Sequence, residues 1–339
     1  MGTLPRTTRF SVLDRSRTRR DETAADALRT TVRFAREAEH LGFHRFWVAE
    51  HHGVPGVAGS APTVLAAAVA SATERIRVGT GGVMLPNHRP LVVAEQFGVL
   101  EALFPGRVDM GLGRSVGFTD GVRRALGRDK DAADGFPDDL AELLGYFTGD
   151  QTAHPGVHAR PAEGLRPAPF VLATGEGAEY AARAGLPLVI ALFGAEERTV
   201  RAIDAYRTRF RPSDWAHEPY VVIAGSVAVA DTPEDAEDLL VPEAWSAAYA
   251  RTHGVFPPLM PADEIRALAM TAKERTYLAD GLRGHIRGTE DDVEAELGRL
   301  VGRTGADEFL VTTSTFDVAR RSDTYARIAR LAGLTATVG

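Results

Sequence analysis

Four short stretches of this chain carry residue types from which an active site could be built. In chain order they are Ala49-Glu50-His51-His52, Gly79-Thr80-Gly81-Gly82, Gly111-Leu112-Gly113-Arg114-Ser115 and Thr174-Gly175-Glu176-Gly177. Adjacent histidines can ligate a metal, act as a general base, or make purely structural hydrogen bonds. A metal is the weakest of these readings, because no two histidines fall in an H-x-H or H-E-x-x-H spacing. Consecutive strand residues point to opposite faces, so only one of His51 and His52 can face a given site. His51 is taken as that residue and His52 as structural, with Glu50 a candidate for orienting His51. Glycines at 79, 81 and 82 weaken a strand, so they mark a bulge or a close backbone approach. A flat ring lying against the backbone explains them better than a bulge. Arg114, between small residues, fits a phosphate through its planar fork or else a surface ion pair. Thr174 and Gly175 precede a helix that begins near Ala178, where free backbone N–H groups can receive an anion. Gly175-x-Gly177 with Glu196 downstream imitates half of a dinucleotide-binding fingerprint, but Tyr180 stands at the third glycine position and argues against it.

The elements that must position these residues alternate between strand-like and helix-like patterns, the signature of a parallel α/β fold. Strands are expected at 10–13, 44–49, 76–85, 107–112, 170–174, 186–193, 220–230 and 308–313. Helices are expected at 23–41, with Leu28, Val32, Ala35, Ala38 and Leu41 as its buried stripe, and at 61–73. A third begins at Pro90 and buries Ala94, Phe97, Leu100 and Phe104, and a terminal one covers 320–331. Residues 115–136 read as a long loop with a short helix, and 150–168 as an irregular insertion. Eight strands without a Gly/Pro/Ser-rich linker imply one α/β domain over 1–339, a closed (β/α)8 TIM barrel with insertion loops at the C-terminal face of its strands. An open doubly wound sheet is the alternative. A barrel builds its site at the C-terminal ends of its strands, which is where all four stretches fall. Residues 243–288 follow the seventh strand without barrel register and are expected to contain a mobile lid.

The chain has 339 residues, 44% of them hydrophobic, and a net charge of −7, which argues against a nucleic-acid or anionic-membrane partner. It contains no cysteine, so disulfides, thiolate metal sites and cysteine nucleophiles are excluded. No signal-like or membrane-spanning run is present, and a soluble, cytoplasmic protein is expected. The second and third helices carry Ala66, Ala67, Ala68, Ala70 and Ala72, then Val92, Val93, Phe97 and Leu100. That apolar surface exceeds one inward stripe and points to a homodimer.

In their order, WVAEHH, IRVGTGGVMLPNHRP, FPGRVDMGLGRS and VLATGEGAEYAARAGLP resemble the successive motifs of the luciferase-like flavin-dependent monooxygenases. The resemblance spans essentially the whole chain and is similar in detail to polyketide-tailoring oxygenases such as that of the mensacarcin pathway. It implies a (β/α)8 barrel with reduced FMN (FMNH2), or in some branches F420, at the strand C-termini. By this resemblance His51 is the catalytic histidine beside the flavin, and Ala49 contacts the ring. Gly81–Gly82 forms a non-proline cis peptide beneath it. Arg114 binds the phosphate, and Thr174 with Gly175 forms the other side of the phosphate site. Family members usually carry serine where this chain has Gly175, and Glu176 adds a negative charge beside the phosphate. The implied reaction is that of a C4a flavin peroxide, formed from O2, which oxygenates a small organic substrate. With no second nucleotide site in the sequence, a separate flavin reductase would supply FMNH2. An F420-dependent hydride-transfer enzyme and a non-catalytic flavin-binding protein are the alternatives.

Overall fold

The structure is a computed structural model that describes residues 4–175, 177–192 and 196–335. Its elements run β1 (Arg9–Asp14), α1 (Ala24–His40), β2 (Arg45–Val48), α2 (Pro62–Ala72), β3 (Arg77–Thr80), β4 (Val83–Met84), α3 (Pro90–Leu103), β5 (Val108–Gly113), α4 (Asp120–Ala125) and α5 (Phe136–Thr148). They continue with β6 (Ala168–Ala173), α6 (Ala178–Ala184), β7 (Leu188–Ala191), α7 (Glu196–Arg209), β8 (Val221–Gly225), β9 (Val227–Val229) and α8 (Pro233–His253). The chain ends with α9 (Ala262–Arg266), α10 (Ala272–Leu282), β10 (Ile286–Gly288), α11 (Glu290–Thr304), β11 (Glu308–Val311) and α12 (Val318–Leu331). Hydrogen-bonded strands follow the order β3-β2-β1-β11-β8-β7-β6-β5-β4, and β3 also pairs with β5, which closes the sheet. Every pairing around the ring is parallel. Because β3 and β4 are two pieces of one barrel strand, this is a (β/α)8 barrel.

The local chemistry explains the main boundaries. Thr23 accepts from the Asp26 N–H to cap α1, and Gly42, at φ +85°, takes the left-handed turn after it. Of the expected stripe of α1, Ala35 and Ala38 are buried and Leu28, Val32 and Leu41 pack partly buried against the core, with Ala27, Thr31 and Phe34 buried beside them. Leu28 and Val32 also line a groove shared with Val64 and Leu65 of α2. The seventh strand leaves the barrel at Ser226, and its second half, β9, pairs with β10 in a small separate sheet that the sequence pattern does not reveal. Helix α5 is likewise unanticipated, whereas 150–168 contains no helix or strand until β6 begins. Phe193, the expected end of the sixth strand, lies outside the described residues.

Side chains alternate between the helical layer and the barrel interior. Phe10, Val12, Phe46 and Val48 pack outward, whereas Leu13, Trp47, Phe170, Val189, Val222 and Leu310 fill the middle of the barrel. Beneath that apolar layer lies an ionic one. Arg45 pairs with Asp109 at 2.9 Å and Glu308 at 3.0 Å. Trp47 Nε1 donates to Asp109 at 2.9 Å, and the Tyr220 hydroxyl donates to Glu308 at 2.7 Å. These charges are buried but paired and hydrogen-bonded, the condition under which burial is tolerated. The two layers fill the barrel beneath its C-terminal end.

The segment 243–288, expected to hold a mobile lid, is largely helical. Trp245, Ala248 and Val241 of α8 pack with Ile265 of α9 in a core of their own. Leu259 is stitched to the chain after β1, its N–H donating to the Thr18 carbonyl at 2.9 Å and its carbonyl accepting from Arg20 N–H at 2.9 Å. Gly56 N–H donates to the Phe256 carbonyl at 2.9 Å. Among the described residues no helix is long and apolar enough to cross a membrane.

Candidate active site

A cavity of about 1830 Å³ opens at the C-terminal ends of the strands, and Ala49, His51, Gly81, Gly82, Arg114, Thr174 and Gly175 all line it. The seven candidate residues, drawn from four strand ends, therefore share one space. Its volume exceeds the roughly 300–1,000 Å³ typical of a single small-ligand pocket, leaving room for a cofactor and a substrate together.

His51 continues the inward alternation of Trp47 and Ala49. Its N–H donates to the Gly59 carbonyl at 2.8 Å, which anchors the backbone. The ring is largely buried, and Nδ1 is shut away with no partner. Burial, with the cations of Arg15 and Arg17 next, pushes the imidazole down to about 4. His51 is thus neutral at pH 7, with one nitrogen able to donate and the other to accept, and Nε2 is the nitrogen able to meet a ligand.

Glu50 does not orient His51. Its Oε1 accepts from His52 Nε2 at 2.6 Å and His88 Nε2 at 2.9 Å, and Oε2 accepts from the Met84 N–H at 2.9 Å. Burial would raise the Glu50 carboxyl, but the two imidazoles and this N–H outweigh it and hold the group at about 2. His52 therefore has the structural role assigned to it. Glu50, His52 and His88 place ligand atoms within 4.8 Å of one another, a grouping hidden in the sequence because His88 arrives from beyond β4. Each imidazole is hydrogen-bonded through Nε2 to the same Glu50 oxygen.

The glycine stretch has a cause in the barrel itself. A Cβ on Gly79 would lie 2.3 Å from the Asp109 carbonyl oxygen, and one on Gly82 would lie 2.7 Å from that of Gly111. Both glycines are required by the close approach of the next barrel strand. A Cβ on Gly81 would lie 2.5 Å from the end of the Leu13 side chain, which would have to shift to admit it. The Gly81–Gly82 peptide is cis, as the resemblance implied.

Arg114 extends from the end of β5 and is lightly held, with Asp134 at 3.7 Å and the Tyr180 ring at 5.6 Å. Its donors remain available to an anion. Gly175 has φ +79° and open space where a Cβ would stand, so it leaves the turn before α6 unobstructed. Glu176, the acid expected beside a phosphate, lies outside the described residues. Glu196 pairs with Arg299 at 2.6 Å and Arg303 at 2.7 Å, and Tyr180 packs on Phe136 at 5.9 Å, which removes the dinucleotide fingerprint.

Three cavity residues carry no local sequence signal. Arg15 follows β1, Glu243 sits on α8 and forms an ion pair with Arg15, and His285 precedes β10. At the mouth, Phe118 and Phe256 meet edge to face at 5.2 Å.

Comparison with known proteins bears on this arrangement. The family model for luciferase-like monooxygenases matches residues 8–328. The Bacillus subtilis protein YvbT is 38% identical over 95% of this chain and 96% of its own. The N-acetyl-S-alkylcysteine monooxygenase of the same organism is 34% identical over 94% and 96%. The crystal structure of apo-MsnO8 superposes with a TM-score of 0.84 at 30% identity, covering 97% of this chain and 99% of that one. Two more distant structures share the fold. One is the oxygenating constituent of 3,6-diketocamphane monooxygenase of Pseudomonas putida in complex with FMN, with TM-score 0.72 and 17% identity. The other is an F420-dependent secondary alcohol dehydrogenase, with TM-score 0.71 and 15% identity.

Proposed function

Because this chain belongs to the luciferase-like monooxygenase family, we propose that it uses reduced FMN and O2 to oxygenate a small organic substrate, in the manner of secondary-metabolite tailoring enzymes. The observation that carries the reading is the convergence of His51, Ala49, Gly81, Gly82, Arg114, Thr174 and Gly175 on one large cavity. Two features fit a phosphate-bearing flavin. Arg114 is held only by a long ion pair and the Tyr180 ring, and the turn at Gly175 is unobstructed.

In this reading Arg114 with Thr174 and Gly175 holds the phosphate, and Ala49 with Gly81 and Gly82 faces the ring. Bound reduced flavin would supply the electrons that activate O2. The protein's contribution is to exclude water and to hold or relay a proton at His51 Nε2, a task suited to an imidazole that burial keeps neutral. A separate reductase delivers the reduced flavin. The chain forms a homodimer through α2 and α3. Val64 is 69% exposed and Leu103 64% exposed, and Val92 and Val99 are exposed beside them. Ala66, Ala70, Val93, Phe97 and Leu100 of the same two helices are turned into the core.

The test is an anaerobic titration of purified protein with FMNH2 and with reduced F420, followed by turnover with a flavin reductase, NADH and O2. Binding of FMNH2 and oxygen-dependent product support the proposal. Binding of F420 alone, with hydride transfer indifferent to O2, would replace it, and flavin binding without turnover on any substrate panel would argue for a carrier.

A further inference from the structure

The cavity has a second group of polar residues besides the candidate flavin residues. Arg15, Glu243 and His285 line it from three different elements. Arg15 is anchored by its ion pair with Glu243 and by donation to the Thr312 carbonyl at 2.7 Å. It acts electrostatically on both His51 and His285, so a single guanidinium lies within range of the two imidazoles. His285 is largely buried, and burial keeps it neutral. The Gly281 carbonyl faces the ring and favours a proton on the nitrogen turned towards it. A neutral imidazole with that N–H committed has a lone pair on its other nitrogen. The lining from α8 and α10 combines the small residues Ala244, Ala247 and Gly281 with Tyr277 and Asp280. A buried acceptor has high value for a ligand that can donate and penalises one that cannot.

We propose that His285 is a substrate-binding residue whose unshared ring nitrogen accepts a hydrogen bond from a hydroxyl or amide N–H of an otherwise apolar substrate. That bond fixes which end of the substrate lies towards His51. The inference rests on the flavin-monooxygenase reading for what happens to the substrate, not for its binding.

The experiment measures binding of 1-naphthol and of 1-methoxynaphthalene, in which the donor is blocked, to the full chain by isothermal titration calorimetry. FMN affinity and thermal midpoint are recorded in parallel. The wild type should prefer 1-naphthol by about fivefold to tenfold, the scale of one net hydrogen bond. His285→Leu should erase the preference and leave FMN affinity unchanged. His285→Gln, whose amide oxygen can accept, should retain part of it. Absence of a preference in the wild type, binding of neither probe, or a preference that survives in folded His285→Leu overturns the proposal. If the naphthol preference behaves as stated and FMN does not bind, the proposed function fails and this assignment stands.

Discussion

A histidine kept neutral by its surroundings destabilises the fold when it is forced to accept a proton, and His51 makes this measurable. Its imidazole is pushed down from 6.5 to about 4, first by burial and then by Arg15 and Arg17. Between those values the unfolded chain binds a proton that the folded chain refuses. Stability therefore falls as pH drops through that window and is fully present above it. Two and a half pH units would cost about 3 kcal/mol if traversed completely; between pH 7 and pH 5 the loss is about 2 kcal/mol. Urea unfolding of wild type and of His51→Gln at both pH values isolates this amount, because every other titrating group is common to the two proteins. The wild type should lose about 2 kcal/mol more than the variant. Labelling histidine Cε1 with ¹³C gives an independent readout, in which the resonance missing from His51→Gln should not titrate above pH 5. A resonance that titrates at 6 or higher, or equal pH dependence in the two proteins, would show that the ring is hydrated. The argument for a neutral His51 in the cavity would then fail.

Other outcomes follow from the same geometry. His51→Ala should keep the fold and most flavin affinity but lower product formation by roughly 10²–10⁴, with H2O2 release rising in step; product at the wild-type rate would make His51 structural. Arg114→Ala should weaken reduced-FMN binding by roughly 1.5–3 kcal/mol, since Asp134 is too distant to explain the arginine's placement; unchanged affinity by anaerobic fluorescence titration would move the phosphate elsewhere. Light scattering at micromolar concentration should report a dimer, and Leu103→Asp should shift it towards monomer without unfolding it, whereas a wild-type monomer would refute the α2–α3 interface. Limited proteolysis should cut the stretch around Leu259 equally with and without flavin, because its backbone is hydrogen-bonded to the chain after β1; flavin-dependent protection there would restore the idea of a mobile lid.

The sequence by itself determined the alternation of strands and helices, the barrel class and the strand ends that carry Ala49, His51, Gly81, Gly82, Arg114, Thr174 and Gly175. Those features are legible because they are local: a period of two or 3.6 residues and short motifs in a set order. What the structure alone decided depends on residues distant in the chain. Glycines 79 and 82 look like a ring-binding platform in one dimension; in the fold the backbone of β5 excludes a side chain from both. Glu50 stands next to His51 in sequence but turns to His52 and His88, because adjacent residues leave a strand on opposite sides. The segment expected to hold a mobile lid is largely helical, and the contacts of Ile265 with Trp245 that pack it have no periodic signature. Arg15, Glu243 and His285 meet only after the barrel closes and the chain returns from α10 to β10. Side-chain periodicity reports which face of an element is buried; it carries no record of what that face is buried against, and that partner decides both the charge on His51 and the second polar group of the cavity.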